Sequence, residues 1–257
     1  MNDWAPRNLL EWARQVQAIA QNGLAFTHDP FDRERYTQLA ELVTALVSRE
    51  LALPLGEARA LWDGERGYAT PKVDVRGGVF REDQVLLVRE RADGRWTLPG
   101  GWVDVNDAPS EAVAREIYEE SGYRARAVKL AALIDKNRHP HPPGVHHIYK
   151  LFFLCELLGG GARASSETDA VEFFPVRDLP PLSLGRVLAS QIERLYEHRL
   201  DPSLPTDIDR AFAPRHGHPR QPALRARVCP ADRRCLCPLQ RRVPCHHAPR
   251  TAAFRQP

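Results

Sequence analysis

Apolar positions recur at two different periods along this chain, and the change of period divides it. In LLEWARQVQAIAQNGL, Leu9, Leu10, Ala13, Val16 and Ile19 fall three and four apart, as on one face of a helix, and Gly23 is expected to stop it. FDRERYTQLAELVTALVSREL repeats the pattern with Tyr36, Leu39, Leu42, Val43 and Leu46, and Asp32 is the expected cap. PLGEARALW predicts a short third helix ending near Gly64. Residues 1–66 therefore read as a helical domain, packed on the rest of the chain or on a second copy of itself.

From about residue 70 the period falls to two. PKVDVRGGVFR alternates Val73, Val75 and Val79 with polar residues or glycine, and QVLLVRER predicts a second strand bounded by Asp83 and by Ala92-Asp93-Gly94. WTLPGGWVDV is extended and broken at Pro99-Gly100-Gly101. ARAVKLAALIDKN, HHIYKLFFLCELL and AVEFFPV predict three more strands, and Leu184 to His198 a closing helix. Strands, a helix, more strands and a second helix predict an α/β/α sandwich around a mixed sheet over residues 67–208. Beyond that the periodicity dissolves into eight Pro and eleven Arg with no Lys, so 209–257 is expected to be a disordered tail.

Charge follows the same division. Residues 209–257 hold eleven Arg against two Asp, a charge of +9, while the other 208 residues hold 25 Lys and Arg against 31 Asp and Glu, a charge of −6. The basic whole-chain balance comes from the tail, so no nucleic-acid partner is expected for the body. No stretch approaches the roughly eighteen apolar residues of a membrane span. The start, MNDWAPRNLLEW, lacks the basic region and apolar run of a secretion signal. Cys155 reads as a buried free thiol, and Cys229, Cys235, Cys237 and Cys245 in the tail lack paired metal-ligand spacing. A cytoplasmic location is the expectation.

The chemistry concentrates in GGWVDVNDAPSEAVAREIYEESGY, Gly100 to Tyr123. A helix over Asp107–Ser121 is expected, with Pro109 in its first turn, Asp107 or Ser110 as cap and Gly122 as stop. Glu116 and Glu120 then lie one turn apart on one face, Glu119 borders that face, and Arg115 reaches Glu119. Such a cluster alone is more often a solvated charged face. This one follows a Gly-Gly loop after a strand, and converging carboxylates suit a hard cation such as Mg2+ or Mn2+.

Gly101, five residues, Asp107, seven residues, Arg115-Glu116-Ile117, one residue, Glu119-Glu120, one residue, Gly122-Tyr123 resembles the Nudix box, Gx5Ex7REUxEExGU, with Asp107 where the family has Glu. The resemblance covers about residues 70–200, and the N-terminal helices resemble the extra domain of a bacterial subgroup acting on nucleoside diphosphates linked to another moiety. It implies a metal-dependent hydrolase that cleaves a pyrophosphate linkage in compounds such as CDP-choline, nucleotide sugars or ADP-ribose. The alternative is a nucleotide-sensing module without turnover.

By the same resemblance Glu116, Glu120 and Glu119 would ligate the metal with the Gly101 carbonyl, and Arg115 would hold Glu119. The general base would come from the box or from a later loop, where Glu167 is the candidate, or else an ordinary loop acid. Arg76 and Arg89 would bind phosphate or face solvent as strand residues, and the HPHPPGVHH loop would cover the site or lie on the surface. The N-terminal helices would supply base contacts, a homodimer interface, or both.

Overall fold

The elements of the sheet domain fall where the period of two places them. In the computed structural model, which describes residues 8–209, β1 (Lys72–Arg81) pairs in parallel with β5 (Ile148–Gly160), and β5 pairs antiparallel with β4 (Tyr123–Asp135). The short β7 (Asp207–Ile208) adds to the far edge of β4. On its other side β1 turns through a tight hairpin into β2 (Gln84–Glu90), which pairs with β6 (Thr168–Pro175) and with the two-residue β3 (Trp96–Thr97). The sheet is mixed, as expected. The tail and its cysteines lie outside the described residues.

Helix α4 (Pro109–Ser121) covers one face and α5 (Ala189–Leu200) the other. Val113 and Ile117 of α4 pack on Val75, Val79, Leu86 and Phe153, and Ile192 and Leu195 of α5 pack on Phe80, Ile134 and Phe152. Each such fully buried aliphatic side chain contributes about 1.5–3 kcal/mol. The approach of α4 requires a residue without a side chain beneath it: a Cβ on Gly77 would stand 2.6 Å from Ile117 Cδ1. Helix α5 starts at Ala189, later than the expected Leu184, after a turn in which the Val187 N–H donates to Ser183 O.

The N-terminal helices are α1 (Leu9–Phe26), α2 (Pro30–Glu50) and α3 (Leu55–Ala60). Three expectations are corrected here. Gly23 does not end α1, because its missing side chain makes room for the Tyr36 ring where α2 crosses. The cap of α2 is Asp29, not Asp32: its carboxylate accepts the N–H groups of Phe31 (2.8 Å) and Asp32 (2.9 Å), with Pro30 opening the helix. And α1 carries two apolar stripes rather than one. Leu10, Ala13 and Ala20 face inward, whereas Leu9, Trp12, Ile19 and Phe26 are exposed on another line. The helical layer meets the sheet domain directly, with Arg14 donating to Gly144 O at 2.6 Å.

Candidate active site

The loop between β3 and α4 brings the strand end and the helix together. Gly100 sits at φ 141°, a conformation strained for any residue with a Cβ, and a Cβ there would collide with Val75 O at 2.1 Å. That tight seat aims the Gly100 N–H at Glu120 Oε2, 2.9 Å away. Beside it Gly101 abuts Glu116: a Cβ would stand 3.1 Å from Glu116 Oε2. The Gly101 carbonyl accepts the Val75 N–H at 2.9 Å, so one of its two lone pairs remains.

Helix α4 presents its carboxylates as the four-residue spacing predicts. Glu120 is 5% exposed, Glu116 is half-buried and Glu119 is exposed. Burial pushes the Glu120 carboxyl up to about 8, and Glu116 and Glu90 add to that effect, against the opposing influence of Arg76 and the Gly100 N–H. Glu116 is also raised, first by burial. Arg115 spans the cluster, reaching Glu119 at 3.0 Å, Glu116 at 3.1 Å, Asp107 at 3.2 Å and Asp104 at 3.3 Å. Asp107 therefore does not cap the helix. The cap position is Ala108, without a side-chain bond, and Asp107 anchors Arg115 instead. Gly122 ends the helix in the left-handed conformation expected of it, at φ 76°.

The carboxylates line a cleft of about 750 Å3 together with a set of basic side chains that form a wall of it. Arg76 is buried there and grips Asp74 through two bonds, Nε to Oδ1 at 3.0 Å and Nη2 to Oδ2 at 2.8 Å. Lys150, 1% exposed, donates to Asp74 Oδ1 at 2.7 Å. Burial brings the Lys150 ammonium down to about 8, helped by Arg76 and opposed by Asp74. Burial acts against the Arg76 charge as well, but Asp74 outweighs it and holds Arg76 protonated. Lys136 and the Arg186–Glu90 pair (2.9 Å) complete this wall.

Glu167 lines the same cleft, on an exposed loop tied to the end of α4: Thr168 Oγ1 donates to Glu120 O at 2.7 Å and the Arg163 N–H to Ser121 O at 2.9 Å. Arg89 is not brought to the cleft. Successive strand residues face opposite ways, so its neighbour Glu90 enters the cleft while Arg89 pairs with Asp169 at 2.6 Å on the outer surface. The HPHPPGVHH loop leaves no His on this cleft; His141 instead binds Leu184 O (2.7 Å) and Gln191 (2.9 Å). Asp74, Lys150, Glu90 and Arg186 were missed by sequence reasoning. The available signal was a charge inside an apolar strand, Asp74 between Val73 and Val75 and Lys150 ahead of LFFL.

A strand-loop-helix unit holding carboxylates on a mixed sheet between two helices is the architecture of one hydrolase family, and the chain belongs to it: residues 70–195 match the NUDIX domain, and residues 7–62 match the UDP-X-like N-terminal oligomerisation domain. The Bacillus subtilis (strain 168) protein named "Putative ADP-ribose pyrophosphatase YjhB" is 44% identical over 200 residues, spanning 78% of this chain and 96% of its own. The crystal structure of a UDP-X diphosphatase superposes with a TM-score of 0.51 at 33% identity, over 78% of this chain and 98% of that one. That of an ADP-ribose pyrophosphatase from Streptococcus suis 89-1591 also reaches 0.51, at 41% identity over 55% of this chain and all of that one. The chain is thus a Nudix hydrolase with the helical extension.

Proposed function

We propose that this protein is a divalent-metal-dependent pyrophosphohydrolase of nucleoside diphosphates linked to a second moiety. The observation that carries this reading is that one cleft is lined both by the Glu116, Glu119 and Glu120 carboxylates and by the Arg76, Lys150 and Arg186 cations. Carboxylates that can hold a cation, together with fixed cations, suit a metal-bound pyrophosphate. The names of the relatives, which act on ADP-ribose and UDP-X, support the same substrate class.

The donor set fits Mg2+ or Mn2+. Glu116 and Glu120 are hard oxygen donors left with raised proton affinities by burial, and the Gly101 carbonyl keeps a lone pair beside Glu116. Mg2+ keeps several waters and takes substrate phosphate oxygens alongside one or two carboxylates. Bound there, the ion would neutralise phosphate charge and lower the pKa of an attacking water. Arg115 fixes the rotamers of Glu116 and Glu119 through Asp104 and Asp107, and Arg76, itself held by Asp74, keeps a positive charge aimed at the phosphates.

In the reaction a water oxygen bonds to one phosphorus, the bridging P–O bond breaks, and the water's proton passes to a carboxylate; nucleoside monophosphate and a phosphorylated second moiety leave. The carboxylate we assign to that proton is Glu167, which lines the cleft and acts electrostatically on Glu116. The test is product release from ADP-ribose, CDP-choline and UDP-sugars with Mg2+, Mn2+ or chelator. Metal-dependent release is expected. Nucleotide binding without release under any metal would replace the enzyme by a sensor.

The exposed stripe of Leu9, Trp12, Ile19 and Phe26 on α1 is the face we assign to homodimer formation, in keeping with the oligomerisation domain that residues 7–62 match.

A further inference from the structure

Arg186 reaches the catalytic cleft from a short segment between β6 and α5, and that segment is tied down by a histidine that lies outside the cleft. The ends of the segment are seated in the core. Leu182, Val187 and Leu188 are buried, and the Ser183 N–H donates to Trp96 O at 2.8 Å. Its tip is not seated: Leu184 is exposed, and a Cβ on Gly185 would meet nothing within 4 Å. Yet Gly185 and Arg186 both line the cleft. Arg186 Nε stands 2.9 Å from Glu90 Oε1, and Nη1 donates to Ser183 Oγ at 3.3 Å. A guanidinium has five N–H donors, so it has more to offer a ligand than these two contacts use. Besides the turn bonds that Ser183 O accepts, the tip is held from outside by His141 of the HPHPPGVHH loop.

Three hydrogen bonds run in series there, and the two backbone ends fix their direction. The Leu188 N–H can only donate, so it takes Gln191 Oε1 (2.9 Å) and leaves the Gln191 amide NH2 facing His141 Nε2 (2.9 Å). Leu184 O can only accept, so His141 Nδ1, 2.7 Å away, carries the proton and Nε2 is bare. Both ends of the relay belong to one five-residue stretch, 184–188, which it closes as a staple. A second proton on the ring would set Nε2–H against the Gln191 NH2. Turning that amide would orphan the buried Leu188 N–H at the cap of α5. Burial brings the His141 imidazole down to about 4, opposed by its bond to Leu184 O. The charges facing it, Lys150 on β5, Lys136 in the turn after β4 and His139 on its own loop, all act in the same direction as burial. The ring is therefore neutral at neutral pH. We propose that His141 is a positioning residue of the active site: its Nδ1–H tautomer, with Gln191, staples residues 184–188 and so holds Arg186 at the cleft for a substrate phosphate. The phosphate rests on the pyrophosphohydrolase reading above; the staple rests on the hydrogen-bond geometry alone.

The experiment is a double-mutant cycle in the full-length protein. Arg186→Ala removes the guanidinium, and His141→Phe keeps a ring without either nitrogen. Each is expected to raise KM for ADP-ribose in Mg2+ by about tenfold, with kcat within about twofold, as for lost ground-state binding. Because both act through one guanidinium, the double variant should be no worse than Arg186→Ala alone. His141→Asn, whose amide can still donate to Leu184 O, should recover part of the His141→Phe loss. In protein labelled with 15N-histidine at neutral pH, the ring signals that vanish in His141→Asn should be those of a neutral imidazole protonated at Nδ1. That spectrum keeps the test decisive if His141→Phe does not fold. An unchanged KM in His141→Phe, effects that multiply in the double variant, or a ring protonated at Nε2 would each overturn the proposal while leaving the hydrolase intact. A wild type that turns over no ADP-ribose would instead remove the enzyme reading. The same cycle, read by calorimetry with α,β-methylene ADP-ribose, would then support the staple if the two losses of affinity are not additive and overturn it if they are.

Discussion

Glu120→Gln should stabilise the metal-free protein at alkaline pH while abolishing its response to Mg2+. In the folded chain the Glu120 carboxyl titrates near 8 against an ordinary 4.5, chiefly because it is buried and secondarily because Glu116 and Glu90 are close. Below about pH 4.5 both folded and unfolded chains hold the proton, and the stability associated with it is fully present. Between 4.5 and 8 only the folded chain holds it, so stability falls as pH rises, by about 1.4 kcal/mol per unit for a single proton. By pH 8 the loss is on the order of 3–5 kcal/mol, an upper bound because the site relaxes and admits water. The substituted amide would still accept the Gly100 N–H but carry no charge. Urea unfolding of chelated wild type and variant from about pH 5 to pH 9 measures the gap, which should open steadily to about pH 8 and then level off. Mg2+ should close it by stabilising only the wild type. Parallel curves across that window would refute the placement of a buried, repelled carboxylate at 120.

Other perturbations test other parts. Glu116→Gln should lower kcat by orders of magnitude with unchanged far-UV circular dichroism; near-normal turnover would remove it from the ligand set. Gly100→Ala places a Cβ 2.1 Å from Val75 O at φ 141° and should lower Tm by several degrees and turnover with it. Asp74→Asn leaves Arg76 and Lys150 as neighbouring cations without their carboxylate, and should cost about 3–5 kcal/mol in denaturant unfolding. Trp12→Asp with Ile19→Asp should shift the mass by light scattering from dimer to monomer without changing the fold of the sheet domain.

How much of this was legible depended on whether the signal was local. The α4 carboxylates were, because a helix converts a four-residue spacing into a shared face whatever surrounds it. So were the strands, because their alternation records which side is buried. The basic wall was not legible. Asp74 and Lys150 are 76 positions apart and meet only because β1 and β5 pair in parallel, a crossover that no local pattern specifies. Which of its two readings Arg89 takes was hidden for the converse reason. It looked equivalent to Arg76 as an arginine on a strand near the loop, but facing is decided by register, and register placed Glu90 inside. Gly23 misled because a glycine that ends a helix and one that admits a neighbouring ring look alike in one dimension.

Asp107 shows how a departure from a motif is resolved by its partners. Read along the chain it was a cap with one methylene missing. In the fold its carboxylate, 3.2 Å from Arg115, is one of four around a single guanidinium, with Asp104, Glu116 and Glu119. The role at this position is to hold an arginine that in turn orients two carboxylates of the site, and Asp104 shares it from the same loop. The shared load makes the shorter side chain tolerable. Asp107→Ala should therefore lower kcat/KM only several-fold, whereas Asp107→Ala with Asp104→Ala should lose more than the product of the two single effects, since each alone leaves the other to hold Arg115. A double variant no worse than that product would mean the two acids act independently, and that Asp107 has a task other than fixing Arg115.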